Sequence, residues 1–74
     1  MNETEKLRIL IPHWLEHNEE HAEEFRRWAE KAGAASVDIL AAVDALHQVN
    51  HALAAALEKL GGAASEPHSH SHTH

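Results

Sequence analysis

The sequence predicts an all-α protein: an antiparallel helical hairpin that dimerises into a four-helix bundle and ends in a disordered, histidine-rich tail. Two long segments repeat apolar residues every three or four positions, and a short glycine-containing link separates them. No segment alternates apolar and polar residues as a strand does. A chain of 74 residues holds one small domain, and a short link makes two long helices antiparallel neighbours.

The composition limits the partners of the chain. It has 12 acidic and 6 basic residues, a formal net charge of −6, nine histidines and no cysteine. The acidic excess argues against nucleic acid as a partner, and without thiolates any metal must be held by nitrogen and oxygen. We expect no membrane insertion and a cytoplasmic location, because no apolar run approaches ~20 residues and the first residues do not resemble a signal peptide.

Helix 1 is predicted over about residues 12–32. The preceding residues 4–11 form a short helix or an extended arm, and Pro12 either starts helix 1 or kinks a longer helix that begins near Thr4. Gly33 is expected to cap the C-terminal end. The predicted apolar side, which we assign to core packing, consists of Ile11, Trp14, Ala22, Phe25, Trp28, Ala29 and Ala32.

Helix 2 is predicted over about residues 36–60, with Ser36 as its N-cap, Asp38 in its first turn and Gly61-Gly62 at its end. Residues 1–62 would then form the hairpin domain, and residues 63–74 a flexible tail. The predicted apolar stripe consists of Ile39, Val43, Leu46, Val49, Leu53, Leu57 and Leu60.

Five histidines recur at helical spacing: His13, His17 and His21 in helix 1, and His47 and His51 in helix 2. A step of four residues turns by only about 40° around a helix, so each pair lies on one face. Imidazole nitrogen is a ligand for zinc, nickel, cobalt, copper and iron. The spacing therefore predicts a metal site.

The two histidine stripes are expected at matching heights. If the chain turns at residues 33–35, residues whose numbers sum to about 68 or 69 are level; His21 is then level with His47, His17 with His51, and Glu24 with Asp44. Carboxylates can complete such a shell or orient a histidine. The predicted metal ligands are His17, His21, His47, His51, Glu24, Asp44, Glu20 and His13.

The handedness of the stripes bears on which chains supply the ligands. Viewed from its own N-terminus, each helix carries its histidines on a different side of its apolar centre, so facing helices of one hairpin would hold them on opposite sides. Neighbouring helices that run the same way in a dimer would bring the stripes together. We therefore expect sites between the subunits of a homodimer, with a site within one chain as the alternative.

The tail alternates histidine with serine or threonine and is either a weaker, more exchangeable metal collector or a purification tag. Its histidines are His68, His70, His72 and His74.

Two segments resemble known proteins. Residues 12–25, PHWLEHNEEHAEEF, resemble a motif of small uncharacterised prokaryotic helical-hairpin domains. The tail is similar to the histidine-rich tails of nickel-handling chaperones and of nickel or cobalt transport proteins. These resemblances imply a helical hairpin and the handling of nickel or cobalt.

The expected function is that of a non-enzymatic metal-binding protein that sequesters or delivers a divalent transition metal. Nickel and zinc are the first candidates, cobalt and iron further ones, and a metal-receiving protein or transporter is a possible partner. One alternative is a hemerythrin-like or ferritin-like di-iron site, although Glu-x-x-His is absent and only Asp44-x-x-His47 approximates it. Another is a metal-free module whose helices dock a partner helix.

Overall fold

A computed structural model describes residues 2–64 of the chain as two long helices joined by a short turn. Helix α1 spans Glu3–Ala29 and helix α2 spans Ser36–Lys59, with the 3-10 turn Gly33–Ala35 between them. The two helices pack against each other along their length, so the predicted helical hairpin is confirmed. The predicted tail beyond residue 64, with all four tail histidines, lies outside the described residues.

Helix α1 is longer at its start than predicted. The prediction that it starts at residue 12 is wrong, and the alternative of a longer helix from near Thr4 is right. The side-chain oxygen of Asn2 accepts a hydrogen bond of 2.8 Å from the backbone N–H of Glu5, which caps the first turn. Glu3 and Glu5 add negative charge there, where the helix dipole favours it.

The connection between the helices is longer than predicted, since it covers residues 30–35 and not only residues 33–35. Helix α1 ends at Ala29 rather than near residue 32, and Gly33 has φ +60, a conformation that glycine adopts without strain. Ser36 is not an N-cap as predicted: Ala35 precedes α2 without a side-chain cap, and the N–H of Ser36 bonds to the carbonyl of Gly33. The 3-10 turn thereby satisfies one of the backbone donors at the start of α2.

Pro12 lies inside α1 and leaves one carbonyl of the helix without its usual partner. Proline has no N–H, so the carbonyl of Arg8, four residues earlier, cannot make the ordinary helical hydrogen bond. The backbone N–H of Ala64 donates to that carbonyl at 3.1 Å, and Nε of Arg8 donates to the carbonyl of Gly62 at 2.7 Å. The segment after α2 is thereby fixed to α1, so the chain is still anchored at residue 64, inside the predicted tail.

The end of α2 directs the chain toward Arg8. Gly61 donates to the carbonyl of Glu58 at 3.1 Å, and Gly62 donates to the carbonyl of Leu57 at 2.9 Å. These two bonds form a Schellman motif, and both glycines have positive φ, 107° and 89°. The Gly61-Gly62 pair therefore ends the helix, as predicted, and turns the backbone back onto α1.

The helices meet along a seam of residues spaced by three and four, as in a coiled coil. Within residues 2–64 the buried hydrophobic residues are Ile11, Ala22, Ala29 and Val43, at 3%, 1%, 1% and 4% exposure. The half-buried seam residues are Leu7, Leu15, Asn18, Phe25, Ile39, Leu46, Asn50, Leu53, Leu57 and Leu60.

Three residues assigned to the core are exposed instead. Trp14 is 41% exposed, Trp28 59% and Val49 46%. They flank the seam, because a helix of this radius buries only a narrow stripe against a single partner helix. The apolar side that the sequence predicts is present, but it is wider than the surface that one helix of a hairpin can bury against the other.

A pair of asparagines interrupts the apolar seam at its middle. Nδ2 of Asn18 donates to Oδ1 of Asn50 at 2.8 Å, and Nδ2 of Asn50 donates to the carbonyl of Leu15 at 3.1 Å. The numbers 18 and 50 sum to 68, so the register of the helices agrees with the one predicted from the position of the turn.

Replacing Asn50 with alanine should destabilise the hairpin by about 1–3 kcal/mol, because the part-buried amide of Asn18 would lose its partner. Urea unfolding followed by circular dichroism measures this loss. Gln48→Ala, at an exposed position of the same helix, should stay within about 0.5 kcal/mol. Equal effects of the two substitutions would show that the amide pair does not hold the register.

Replacing Pro12 with alanine should weaken the attachment of the segment after α2. The new N–H at position 12 competes for the carbonyl of Arg8, so the amide of Ala64 should exchange with solvent faster. Hydrogen exchange by NMR measures this rate. The amide of Gly62, which bonds within its own turn to Leu57, serves as the internal control. Unchanged protection of Ala64 would contradict the proposed role of Pro12.

Candidate functional site

The hairpin has two broad faces, one on each side of the seam. Each residue advances about 100° around a helix, which places Trp14, His21 and Trp28 on one side of α1 and Glu19 on the other. Two surface depressions show which side of α2 lies next to each side of α1. Phe25 and Trp28 line one depression with Asp38, Ile39 and Ala42. Glu16 and Glu19 line the other with His47 and His51.

We call these the tryptophan face and the groove face. The tryptophan face carries Phe25, Trp28, Asp38 and Ala42 and, by helical rotation, Leu10, Trp14, His17, His21, Ala45, Val49, Ala52 and Ala56. The groove face carries Glu16, Glu19, Asp44, His47, Gln48, His51 and Ala54.

The groove face brings imidazoles and carboxylates together. His47 and His51 line one depression with Asp44 and Gln48 and an adjoining one with Glu16 and Glu19 of α1. Oε2 of Glu19 also accepts a hydrogen bond of 3.3 Å from Asn50, which holds this carboxylate at the groove. The groove is open and its histidines are exposed, so a metal ion could reach them without a conformational change.

The second histidine pair lies on the tryptophan face among aromatic side chains. The ring centroid of His21 is 6.2 Å from that of Phe25, with an interplanar angle of 30°. Nδ1 of His17 is 3.8 Å from Oε1 of Glu20, with side-chain exposures of 68% and 63%. At this distance and exposure the contact contributes little to stability, so it does not hold His17 in place.

The predicted four-histidine site does not form within one chain. His17 and His51 are level, as are His21 and His47, but the members of each pair lie on opposite faces, as the handedness of the stripes predicts. Among residues 2–64, no three His, Asp or Glu side chains are positioned to hold one metal ion. The single hairpin therefore offers two separate histidine pairs.

The other predicted ligands divide in the same way. Asp44 accompanies His47 and His51 on the groove face, and Glu24 lies at the edge of the tryptophan face by helical rotation. His13 and Glu20 lie on the outer side of α1, turned away from the seam. The predicted pairing of Glu24 with Asp44 is thus not formed within one hairpin.

Sequence reasoning missed four residues of the groove: Glu16, Glu19, Gln48 and Asn50. The signal that could have identified them is the seam itself. Asn18 and Asn50 occupy seam positions at the predicted register, and with the seam centred on them Glu19 falls on the same side as His47. Their polarity concealed this, because the apolar pattern alone placed the centre nearer the tryptophans.

A comparison with protein families finds a match over residues 7–60 to a domain of unknown function, DUF8180. The chain belongs to this family. The DUF8180 match starts at Leu7 and stops at Leu60, near the two ends of the helical seam. It contains the five helical histidines and leaves out the tail.

No curated protein and no solved structure matches the chain. Neither helix of residues 2–64 is long and apolar enough to cross a membrane.

Proposed function

We propose that this DUF8180 protein binds a divalent transition metal and sequesters or delivers it, without catalysing a reaction. The observation that carries the proposal is the pair of exposed imidazoles, one helical turn apart, on each face of the hairpin. Two imidazoles stacked in this way can bind the same ion. The net charge of −6 favours the accumulation of cations near the surface.

The pair formed by His47 and His51 is the primary site in a single chain. It shares its depression with the carboxylate of Asp44, and the carboxylates of Glu16 and Glu19 lie across the groove. Two imidazoles do not complete a coordination shell, so solvent or tail histidines would supply the other donors. An open shell lets a receiving protein add its own ligands and take the metal, as delivery requires.

The donor set limits the choice of metal. Imidazole nitrogen with carboxylate oxygen and no thiolate suits nickel and zinc, and also cobalt or iron. We propose a cytoplasmic homodimer as the working form and a metal-receiving protein or transporter as its partner. The tail histidines would act as a second, weaker collector.

A metal-free interaction module is the second candidate, because the hairpin exposes apolar side chains on its tryptophan face. Leu10 and Trp14 are each 41% exposed and Trp28 is 59% exposed, so this face could receive an amphipathic partner helix. A di-iron enzyme is less well supported. Its usual signature, Glu-x-x-His, is absent from the sequence, and only Asp44-x-x-His47 approximates it.

Removing the groove histidines should abolish one metal-binding event per chain. The test is best made in the full-length chain with His68, His70, His72 and His74 changed to serine, so that the tail does not contribute. In this background, His47→Ala with His51→Ala should lose one bound Ni²⁺ or Zn²⁺ per chain, measured by native mass spectrometry and calorimetry.

The matched control for that test is His13→Ala, which removes one imidazole from the outer side of α1 and should leave the stoichiometry unchanged. Metal that binds the folded chain must also raise its melting temperature. If Ni²⁺, Zn²⁺, Co²⁺ and Fe²⁺ all leave the melting temperature unchanged, the metal proposal fails and the interaction module is favoured.

Metal affinity should fall steeply between about pH 7.5 and about pH 5, because protons compete with the metal for imidazole nitrogen. Binding should release protons, so the calorimetric heat should change with the ionisation enthalpy of the buffer. An affinity that is the same at both pH values would rule out histidine ligation.

A further inference from the structure

We propose that a second copy of the chain covers the tryptophan face, and that His17 and His21 of both copies bind one metal ion at the two-fold axis of this dimer. The proposal rests on the proposed metal-binding function and adds a second kind of site to it. The partner copy contributes half of the ligands, so the site does not exist in the single chain.

The tryptophan face is the part of the hairpin that lacks a partner. Trp14, Trp28 and Val49 are 41%, 59% and 46% exposed there. The groove face carries Glu16 and Glu19 of α1 and Asp44 of α2 beside its two histidines, so it is more polar than the tryptophan face and is suited to water. Burying the tryptophan face would complete a core that in one chain contains few fully covered side chains.

Two pairs of residues on the α1 stripe lie symmetrically about residue 19. When two copies of a helix pack antiparallel about a two-fold axis at residue 19, positions whose numbers sum to 38 lie opposite each other. Leu10 then lies opposite the partner's Trp28, and His17 lies opposite the partner's His21. The four imidazoles meet at the axis, with large apolar residues on both sides of them.

The stripe on α2 is self-complementary about residue 49. Positions whose numbers sum to 98 lie opposite each other, so Ala42 faces the partner's Ala56 and Val49 faces the partner's Val49. The other small residues of the stripe, Ala45 and Ala52, lie almost symmetrically about the same centre. Small side chains let the two α2 helices approach closely, while the bulkier α1 stripes fill the other half of the contact.

The two centres lie at the same height of the hairpin. The numbers 19 and 49 sum to 68, which is the register that the hydrogen bond between Asn18 and Asn50 sets. A two-fold axis perpendicular to the helices crosses α1 and α2 at the same height. Nothing in a single hairpin requires the centres of the two stripes on its tryptophan face to share one height. This coincidence favours a second copy over an unrelated partner helix.

The symmetry also decides which histidines meet. A two-fold contact brings the same patch of both subunits together, so it joins histidines of one face only. Pairing His17 with the partner's His51 would need the tryptophan face of one chain to pack on the groove face of the next. A contact between two different faces can repeat from chain to chain as an open filament and does not close into a dimer. The site is therefore built from α1 of both copies, rather than from α1 and the partner's α2.

Four imidazoles give a complete nitrogen shell of the kind that zinc accepts in tetrahedral geometry. Aromatic side chains from both copies would limit the access of water to it. This site should exchange its metal more slowly than the open groove pair, so the dimer would hold a structural ion and the grooves the exchangeable ones.

Disulfide formation tests the geometry of the dimer without metal, because the chain has no cysteine of its own. In Val49→Cys the two new thiols lie at the axis, and mild oxidation should convert the protein to a covalent dimer. Gln48→Cys is the matched control: it lies at the same height but lines the groove, and it should stay monomeric on a denaturing gel. If Val49→Cys cross-links no more than Gln48→Cys, the proposed dimer is wrong.

The number of metal ions per chain tests the site formed by His17 and His21 of both copies, which we call the histidine quartet. In the full chain with the tail histidines, His47 and His51 replaced, native mass spectrometry with Zn²⁺ should show one ion per two chains, and a further His21→Ala change should remove it. Cross-linking of Val49→Cys without this ion would overturn the quartet but leave the dimer. Loss of one ion per chain on replacing His47 and His51, with no cross-linking, would support the proposed function and overturn this inference.

Discussion

The hydrogen bond between Asn18 and Asn50 sets the geometry on which the two faces depend. An apolar seam of leucine, isoleucine and alanine can shift by a turn at modest cost, since one aliphatic contact replaces another. A shift would leave both amides without partners in a part-buried position, at a cost of about 1–3 kcal/mol for each. The asparagine pair therefore selects one register, as a polar residue does in the core of a coiled coil. Every height comparison between the histidines follows from it.

Pro12 contributes a second constraint at the open end of the hairpin. By removing one N–H from α1, it leaves the carbonyl of Arg8 available to the returning chain at Ala64. Ala64 is thus held at the height of Arg8. His51 is level with His17, which lies nine residues, or roughly 14 Å, further along α1. The ten residues that follow can span at most about 35 Å, so their length allows the tail histidines to reach the groove. A proline that disrupts an isolated helix thereby anchors the segment from which the tail begins.

The two faces differ in what they offer a metal. On the groove face, histidines lie beside carboxylates in an open, polar depression, where solvent can fill coordination positions and exchange is easy. On the tryptophan face, His17 and His21 stand among aromatic and small apolar residues, where a second chain can exclude water. The same imidazole chemistry would therefore give an exchangeable site on one face and a more permanent one on the other.

The sequence by itself determined the helical hairpin, the position of its turn and the equal heights of the two histidine stripes, because helical periodicity and glycine conformation are local properties. It misplaced the start of α1, because whether a proline begins a helix or lies inside it depends on what satisfies the carbonyl four residues earlier, here Ala64 from the far end of the chain. It also assigned Trp14 and Trp28 to the core. The handedness of the stripes predicted that His17 and His21 lie across the hairpin from His47 and His51, and the tertiary structure decided between this arrangement and the alternative of a site within one chain. Hydrophobicity does not distinguish an apolar side chain buried between two helices from one beside the seam, and that distinction fixes the rotation of each helix.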